Sequence, residues 1–516
     1  MELIVPIDQS SPLPVYKQIS AGIRQSILCQ RLTCGDRLPS TRELAEQLGI
    51  NRLTVVKSYS ELHNEGYIET IVGAGTFVSR NVEGAASMSF QPPAADDGTA
   101  PEKSCQISPS AFGKRLINSS VDQALPDVVP ELNYGAARID ELPLERWQLL
   151  LNRATRLAKA KLLNYTNDSF GFLPLREAIA AYLRRARCAN CTADQIIVFS
   201  QPEADSDLVC RLFLDPGNNV AVENPGFPGV RRTLEMHGAR LIPIPVDSQG
   251  MMVQTLFACE QPIKLVYVTP SHHDPSAVSL SLSRRFELLR WAQSKGAVIL
   301  EDDYDSEYRY GEEPAQALQG LDTGGNVIYR YNFWKVLFPL VKLGFLIVPL
   351  NLVPLFRRAR KVLDREMSLL EQHALAELID GGYYERHIRR MRNIYSARRA
   401  ALIQALTINF GKSLAISNVS AGMHVLVKFR NHHSDDFILQ CARQARLPLA
   451  STRVNYVGEP VRGEFLAGFA SIHQEEINQC TRLFAELLQA SDHSTDASAP
   501  PAVSLTDWLA ASSIAT

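Results

Sequence analysis

The sequence predicts an α/β protein in two modules: a small helical module ending in a β ribbon, then a large module built on a mostly parallel sheet. Three observations carry this prediction. Up to about residue 80, apolar residues recur at helical spacing and then give way to two alternating segments around Gly73-Ala74-Gly75. Beyond about residue 130, short apolar runs alternate with helical patterns, the signature of parallel strands covered by helices on both faces. Between them, from about Asn81 to Val129, the chain turns rich in Ala, Pro, Ser and Asp and loses its apolar periodicity, as a linker does. At roughly 100–200 residues per unit, 516 residues allow about three to five units.

In the first module, Val15 to Leu28 sets Ile19, Ile23 and Ile27 on one helical face. Ser40 caps the next helix, Glu43 completes a capping box three residues on, and Gly49 closes it. Asn51 caps a third helix, which turns Val55, Val56, Tyr59 and Leu62 inward and ends at Gly66. Residues 67–72 and 75–78 then form a two-stranded ribbon. A helix opening Asn51-Arg52-Leu53-Thr54 just after a short helix and Gly49 reads as a helix-turn-helix that presents its N-terminal residues to the DNA major groove. Thr54 and Lys57 lie opposite Val55 and Val56, and Arg42 leaves the preceding helix where a phosphate or base edge would meet it. Gly73 and Gly75 let the ribbon backbone approach the minor groove. The alternative is a small helical domain with a scattered polar surface.

In the large module, the runs at 196–199, 219–222, 265–268, 297–300 and 327–329 read as strands, and Ser283 to Ser294 reads as a helix. Ligands in such sheets bind at the carboxyl ends of the strands. Glu301-Asp302-Asp303-Tyr304-Asp305 follows an apolar strand directly, and a buried acid cluster is costly without cationic or protonated partners. Lys335 sits in the apolar setting Asn332-Phe333-Trp334-Lys335-Val336-Leu337-Phe338, where desolvation makes an amine a better nucleophile. An aldehyde cofactor with a pyridine ring needs both groups, a lysine for the imine and a carboxylate for the ring nitrogen. A solvated acidic loop and a snorkelling lysine are the alternatives.

Two resemblances extend this reading. Residues 13–80 resemble the winged helix-turn-helix of GntR-type bacterial regulators, in the phrases Pro14-Val15-Tyr16-Lys17-Gln18-Ile19, Gly35-Asp36-Arg37-Leu38-Pro39-Ser40-Thr41-Arg42-Glu43, Gly49-Ile50-Asn51-Arg52-Leu53-Thr54-Val55 and Gly73-Ala74-Gly75-Thr76-Phe77-Val78. The resemblance implies DNA contact by Arg42, Asn51, Arg52, Thr54, Lys57, Gly75 and Thr76. Leu53 departs from the polar residue frequent there. Residues from about 130 to 490 resemble a fold-type I, pyridoxal phosphate-dependent aminotransferase domain with large and small subdomains, in Leu214-Asp215-Pro216-Gly217, Glu223-Asn224-Pro225-Gly226-Phe227-Pro228-Gly229, Thr269-Pro270-Ser271-His272, the 301–310 run and Lys335-Val336-Leu337-Phe338-Pro339. The order of modules resembles the MocR-type regulators. It implies Lys335 as the imine lysine, Asp302 on the pyridine nitrogen, Tyr304 on the ring hydroxyl, Phe227 stacked on the ring and Lys342 near the phosphate.

The departures bear on function. The family's Ser-Gly-Ala-Gln phosphate cradle is Ser200-Gln201-Pro202-Glu203 here; proline removes one N–H donor and Glu203 adds a negative charge. Gly-Thr-Phe-Ser-Lys becomes Tyr331-Asn332-Phe333-Trp334-Lys335, the arginine seven residues on becomes Lys342, and His-Gln-aromatic-Pro becomes His272-His273-Asp274-Pro275. Either cofactor binding is weakened or repurposed, or the domain binds another ligand or none.

The chain therefore reads as a DNA-binding regulator: a DNA-binding domain at 1–80, a linker at 81–129, an aminotransferase-like domain at 130–490 and a disordered tail at 491–516. Its expected partners are double-stranded operator DNA, a small-molecule effector (pyridoxal phosphate, an amino compound, or both) and a second copy in a homodimer. An active aminotransferase carrying a DNA-binding domain, and a cofactor-free regulator on a pseudo-aminotransferase scaffold, are the alternatives. The formal net charge of -2 gives no nucleic-acid signature in bulk. Nine cysteines are no disulfide framework and fit a reducing cytoplasm. The longest apolar run, Leu343 to Leu350, is too short to span a bilayer, and the N-terminus has no leader pattern. Cys188-Ala189-Asn190-Cys191 is a lone pair and implies no metal site. The basic run Arg386 to Arg399 reads as the outer face of a helix, and the aminotransferase resemblance implies Arg453 as a candidate for a substrate carboxylate.

Overall fold

Two units emerge, residues 1–107 and 108–516. The computed structural model describes residues 7, 13–29, 31–71, 73–80, 108–118, 135, 137–157, 168–310, 316–363, 367–417, 421–430 and 433–492. Of the linker expected over 81–129, residues 81–107 and 119–129 lie outside the described residues, as does the expected tail from residue 493 onward.

In the first unit, α1 (Val15–Leu28) buries Ile19, Ile23 and Ile27 as its spacing predicts. The Ser40 hydroxyl accepts the Glu43 N–H and the Glu43 carboxylate accepts the Ser40 N–H, a complete capping box that starts α2 (Thr41–Leu48). Gly49 ends α2 in the left-handed conformation, φ 65°. The helix α3 (Arg52–Asn64) buries Val55, Ser58, Tyr59 and Leu62. Val56, expected inward, is 41% exposed, because it sits one residue off that stripe and α3 rotates it toward the ribbon. A two-residue strand not anticipated from sequence, β1 (Arg37–Leu38), joins β2 (Ile68–Ile71) and β3 (Gly75–Val78) in the order β1-β3-β2, all antiparallel.

In the second unit, eight strands lie in the order β4-β11-β10-β9-β8-β5-β6-β7. They are β4 (Ile196–Phe199), β5 (Asn219–Asn224), β6 (Arg240–Asp247), β7 (Gly250–Met251), β8 (Ile263–Val268), β9 (Val298–Asp303), β10 (Val327–Asn332) and β11 (Gly344–Ile347). The central pairs are parallel; β11 runs antiparallel to both β10 and β4, and β7 antiparallel to β6. The apolar run at 343–350 thus supplies a buried strand. A second sheet, β12 (Leu414–Ile416), β13 (His424–Phe429), β14 (Leu449–Ser451) and β15 (Glu464–Gly468), is antiparallel in the order β12-β13-β15-β14 and packs with the long helix Tyr383–Phe410 and the helix Gln474–Asp492. Within the stretch read as linker, Ala111–Ile117 is a helix whose Arg115 donates to the Met236 carbonyl at 2.7 Å, so the chain from Ser108 belongs with the large unit. The basic 386–399 run is split as helical spacing requires: Arg386, Arg389 and Arg390 are exposed, whereas Arg398 is buried against Glu141.

Glu301, Asp302 and Asp303 of the acid run are the last residues of β9, with Tyr304 and Asp305 just beyond it, and strand alternation resolves the cost of the three. Asp303 faces one side, where Arg187 donates at 2.8 Å and the Tyr329 hydroxyl at 2.6 Å. Asp302 faces the other side. Glu301 accepts the N–H groups of Leu318 and Gln319 at the start of a short helix, and burial pushes its pKa up to about 7. Breaking the buried Arg187–Asp303 pair leaves an uncompensated carboxylate, so Arg187→Met is expected to cost about 3–5 kcal/mol. A thermal midpoint unchanged from the parent protein would show that the pair does not hold the sheet.

Candidate functional site

On the first unit, the residues expected to meet DNA gather around the start of α3 and the β2–β3 turn. Arg42 is exposed and pairs with Glu46 at 3.2 Å. Arg52 is exposed, its Nε 3.4 Å from the Thr41 hydroxyl on α2. The Asn51 side-chain oxygen is taken by the Leu53 N–H at 2.8 Å, so Asn51 serves first as a helix cap. Leu53 is 73% exposed and Thr54 half-buried. The Lys57 ammonium lies 4.0 Å from the centre of the Tyr16 ring, a cation–π contact that ties it to α1. Thr76 faces Thr70 across the ribbon at 3.5 Å. A groove of about 440 Å³ runs between α3 and the ribbon, with Arg37, Thr41, Val56, Thr70 and Thr76 among its walls. Arg37 was not singled out from sequence, although it stands in the Gly35-Asp36-Arg37-Leu38 phrase. Gly75 has φ 125°, a left-handed conformation that favours glycine.

On the second unit, the site residues converge where β9 and β10 end. Lys335 is the second residue of a one-turn helix, Trp334–Leu337, that follows β10. Its Nζ lies 3.4 Å from the Gly135 carbonyl and 6.0 Å from the centre of the Tyr304 ring. Burial lowers its pKa, partly opposed by the charges of Asp305 and Asp274. Asp302 accepts, on one oxygen, the Tyr267 hydroxyl at 2.8 Å and an Arg330 N–H at 2.5 Å. Its other oxygen is buried and has no hydrogen-bond partner among the described residues. The Tyr304 hydroxyl lies 3.0 Å from His272 Nδ1, which also meets Asp305 at 2.7 Å, while His272 Nε2 is buried without a partner among the described residues. Gly422 (φ 77°) makes room for that ring, since a Cβ would fall 2.2 Å from His272 Cε1.

Phe227 is half-buried at the start of the Pro228–Met236 helix, and a Cβ on Gly229 would strike its ring at 2.5 Å. Asp274 accepts from Asn455 at 3.0 Å, and burial pushes its pKa up to about 6. Ser200, Gln201 and Glu203 are exposed at the N-terminus of the Pro202–Phe213 helix, and Lys342 is exposed just before β11. Tyr331 does not crowd this region. Alternation along β10 sends it into the core, where its hydroxyl meets Glu307 at 2.5 Å and Tyr384 at 2.6 Å. Trp334 stacks on Phe338, ring centres 3.7 Å apart. Arg453 is held by Asp435 and Asp436, each at 3.6 Å.

Sequence reasoning missed Arg330, Asp205 and Tyr267. Arg330 stands directly opposite Asp302 in the β9–β10 register and reaches Asp205 at 2.8 Å. The one available signal was a charged residue in the otherwise apolar Val327-Ile328-Tyr329 run.

Residues 15–78 match the family of bacterial regulatory proteins, gntR family, and residues 131–476 match aminotransferase class I and II. The chain is 32% identical over 485 residues to the probable rhizopine catabolism regulatory protein MocR of Rhizobium meliloti, covering 93% of this chain and 96% of that one. It is 29% identical over 426 residues to the HTH-type pyridoxine biosynthesis transcriptional regulator PdxR of Corynebacterium glutamicum, covering 83% of this chain and 86% of the relative. Pyrococcus horikoshii kynurenine aminotransferase superposes with a TM-score of 0.64 at 24% identity, over 75% of this chain and 96% of that one, and shares the fold. A gntR-type DNA-binding module followed by a class I/II aminotransferase fold, along nearly the whole length of such a relative, places this chain in the MocR type of bacterial transcriptional regulators.

Proposed function

We propose that the large unit binds pyridoxal phosphate, senses a small amino compound through it, and as a homodimer sets the DNA affinity of the first unit. The observation that carries this is the placement, at the ends of adjacent strands, of Lys335, a lysine with its pKa lowered by burial, and Asp302, a carboxylate with one buried oxygen that has no partner among the described residues. These residues fit the cofactor: Lys335 for the aldehyde carbon, Asp302 for the ring nitrogen, Tyr304 for the ring hydroxyl and Phe227 for the ring face. Lys342 and the start of the Pro202–Phe213 helix would meet the phosphate. Bound there, the cofactor supplies an electrophilic carbon that amines can compete for. The relatives' names, rhizopine catabolism and pyridoxine biosynthesis, fit control by small nitrogenous metabolites. An effector can change DNA binding only by binding one arrangement of the protein better than another, so sensing requires occupancy and not turnover.

An absorbance titration with pyridoxal phosphate tests the cofactor site. A new band at the visible edge is expected for the parent protein and none for Lys335→Ala; no band at millimolar cofactor sinks the reading. On the DNA side, Arg52→Ala is expected to weaken operator binding by roughly 5- to 150-fold, the range of a lost base contact of about 1–3 kcal/mol. An unchanged gel-shift affinity would remove Arg52 from the groove.

A further inference from the structure

We propose that Asp205 and Arg330 are positioning residues for the cofactor's ring nitrogen, acting through Asp302 as a three-group buried clamp. This rests on the cofactor reading above and concerns residues that never touch the ring.

Arg330 bridges two carboxylates: its Nε donates to Asp205 at 2.8 Å and an Nη to Asp302 at 2.5 Å. All three side chains are at least 96% buried. Asp302 alone would hold a ring nitrogen protonated by its single negative charge. A guanidinium clamped onto the same carboxylate cancels that charge and repels a pyridinium, at a range where burial leaves the field poorly screened. Asp205 restores the balance, because two carboxylates and one guanidinium again carry one net negative charge. The ring nitrogen therefore depends on an acid on another element. Burial raises the Asp205 pKa to about 6, and one of its oxygens is buried without a partner among the described residues. The other groups facing the clamp are the Tyr267 hydroxyl from β8 and, through space, Glu223 from β5.

The clamp also has a mechanical consequence. Asp205 lies in the first turn of the Pro202–Phe213 helix, whose N-terminus is the altered phosphate cradle. The Asp205–Arg330–Asp302–Tyr267 chain ties that helix to β10, β9 and β8 in turn. The helix end beside the phosphate and the carboxylate beside the nitrogen are thereby held by one network.

The test uses the full-length protein and pyridoxal phosphate isotope-labelled at the ring nitrogen, with NMR reporting protonated or neutral nitrogen near neutral pH. The parent should show a protonated nitrogen. Asp205→Asn keeps the acceptor for Arg330 and removes the charge, so the protonated-to-neutral ratio should fall about tenfold or more. Adding Arg330→Gln to Asp205→Asn leaves Asp302 as the lone charge and should restore the protonated signal, a rescue that a purely structural role would not produce. A protonated nitrogen in Asp205→Asn equal to the parent overturns the clamp, as does a neutral nitrogen in the double variant, which also decides the matter if the single variant fails to fold. If the parent takes up no labelled cofactor, the cofactor reading falls and the clamp with it; uptake with protonation insensitive to Asp205 overturns the clamp alone.

Discussion

Three consecutive carboxylates on a buried central strand dictate much of the large unit. Glu301, Asp302 and Asp303 are each at most 2% exposed, and no such run survives burial unless every member finds donors on its own side of the sheet. The pleat sends Asp303 to Arg187, at the end of the Leu173–Arg187 helix, and Asp302 to Arg330, on the neighbouring strand. Glu301 meets the backbone N–H groups of a short helix instead. Two arginines thus serve two faces, and each fixes a different helix or strand against β9. The packing beyond them is largely apolar on both sides.

That division explains why the departures from the aminotransferase pattern do not all act in one place. Tyr331 and Arg330 are sequence neighbours but point to opposite faces of β10. The tyrosine where the family has a small residue therefore lies in the core, satisfied by Glu307 and Tyr384, and points away from the face that carries Asp302. Arg330 faces the other side, where it pairs with Asp302. The lysine and the carboxylate keep their relation because both sit at the ends of adjacent parallel strands, set by a register that runs from Val327 opposite Ile299 to Tyr331 opposite Asp303. The start of the Pro202–Phe213 helix is set by no such register, and its proline has no N–H to donate.

Features were legible in the sequence in proportion to how local their physics is. The capping box at Ser40, the left-handed Gly49 and the alternation around Gly73 to Gly75 each involve residues a few positions apart, and the first unit follows them closely. Val56 was misplaced because α3 buries a narrow stripe and a valine one step off it must be exposed. Of the candidate cofactor residues, the lysine and the acid run stood out by composition. Their partners did not, since Arg330 with Asp302 and Asp205 depends on strand register and on a contact spanning 125 residues of sequence. Strands β12 to β15 escaped notice because they are short and were not separated from the helical patterns around them.

Charge in the DNA-reading unit follows the same logic of placement over total. The first 80 residues carry eight basic and eight acidic side chains, so attraction to DNA cannot come from net charge. The basic groups are instead pre-positioned by contacts weak enough to exchange. The Arg42–Glu46 pair is about three-quarters exposed and belongs to a class worth at most about 1 kcal/mol, so a phosphate can displace it. Lys57 rests on the Tyr16 ring, which orders its long side chain. Arg24, by contrast, is fixed by Glu65 at 2.6 Å and lies over the Tyr67 ring, tied into the packing of α1 against the end of α3. A unit with no net charge can thus present a locally basic edge, provided its acids hold the basic groups that the fold needs elsewhere and only lightly hold those it presents.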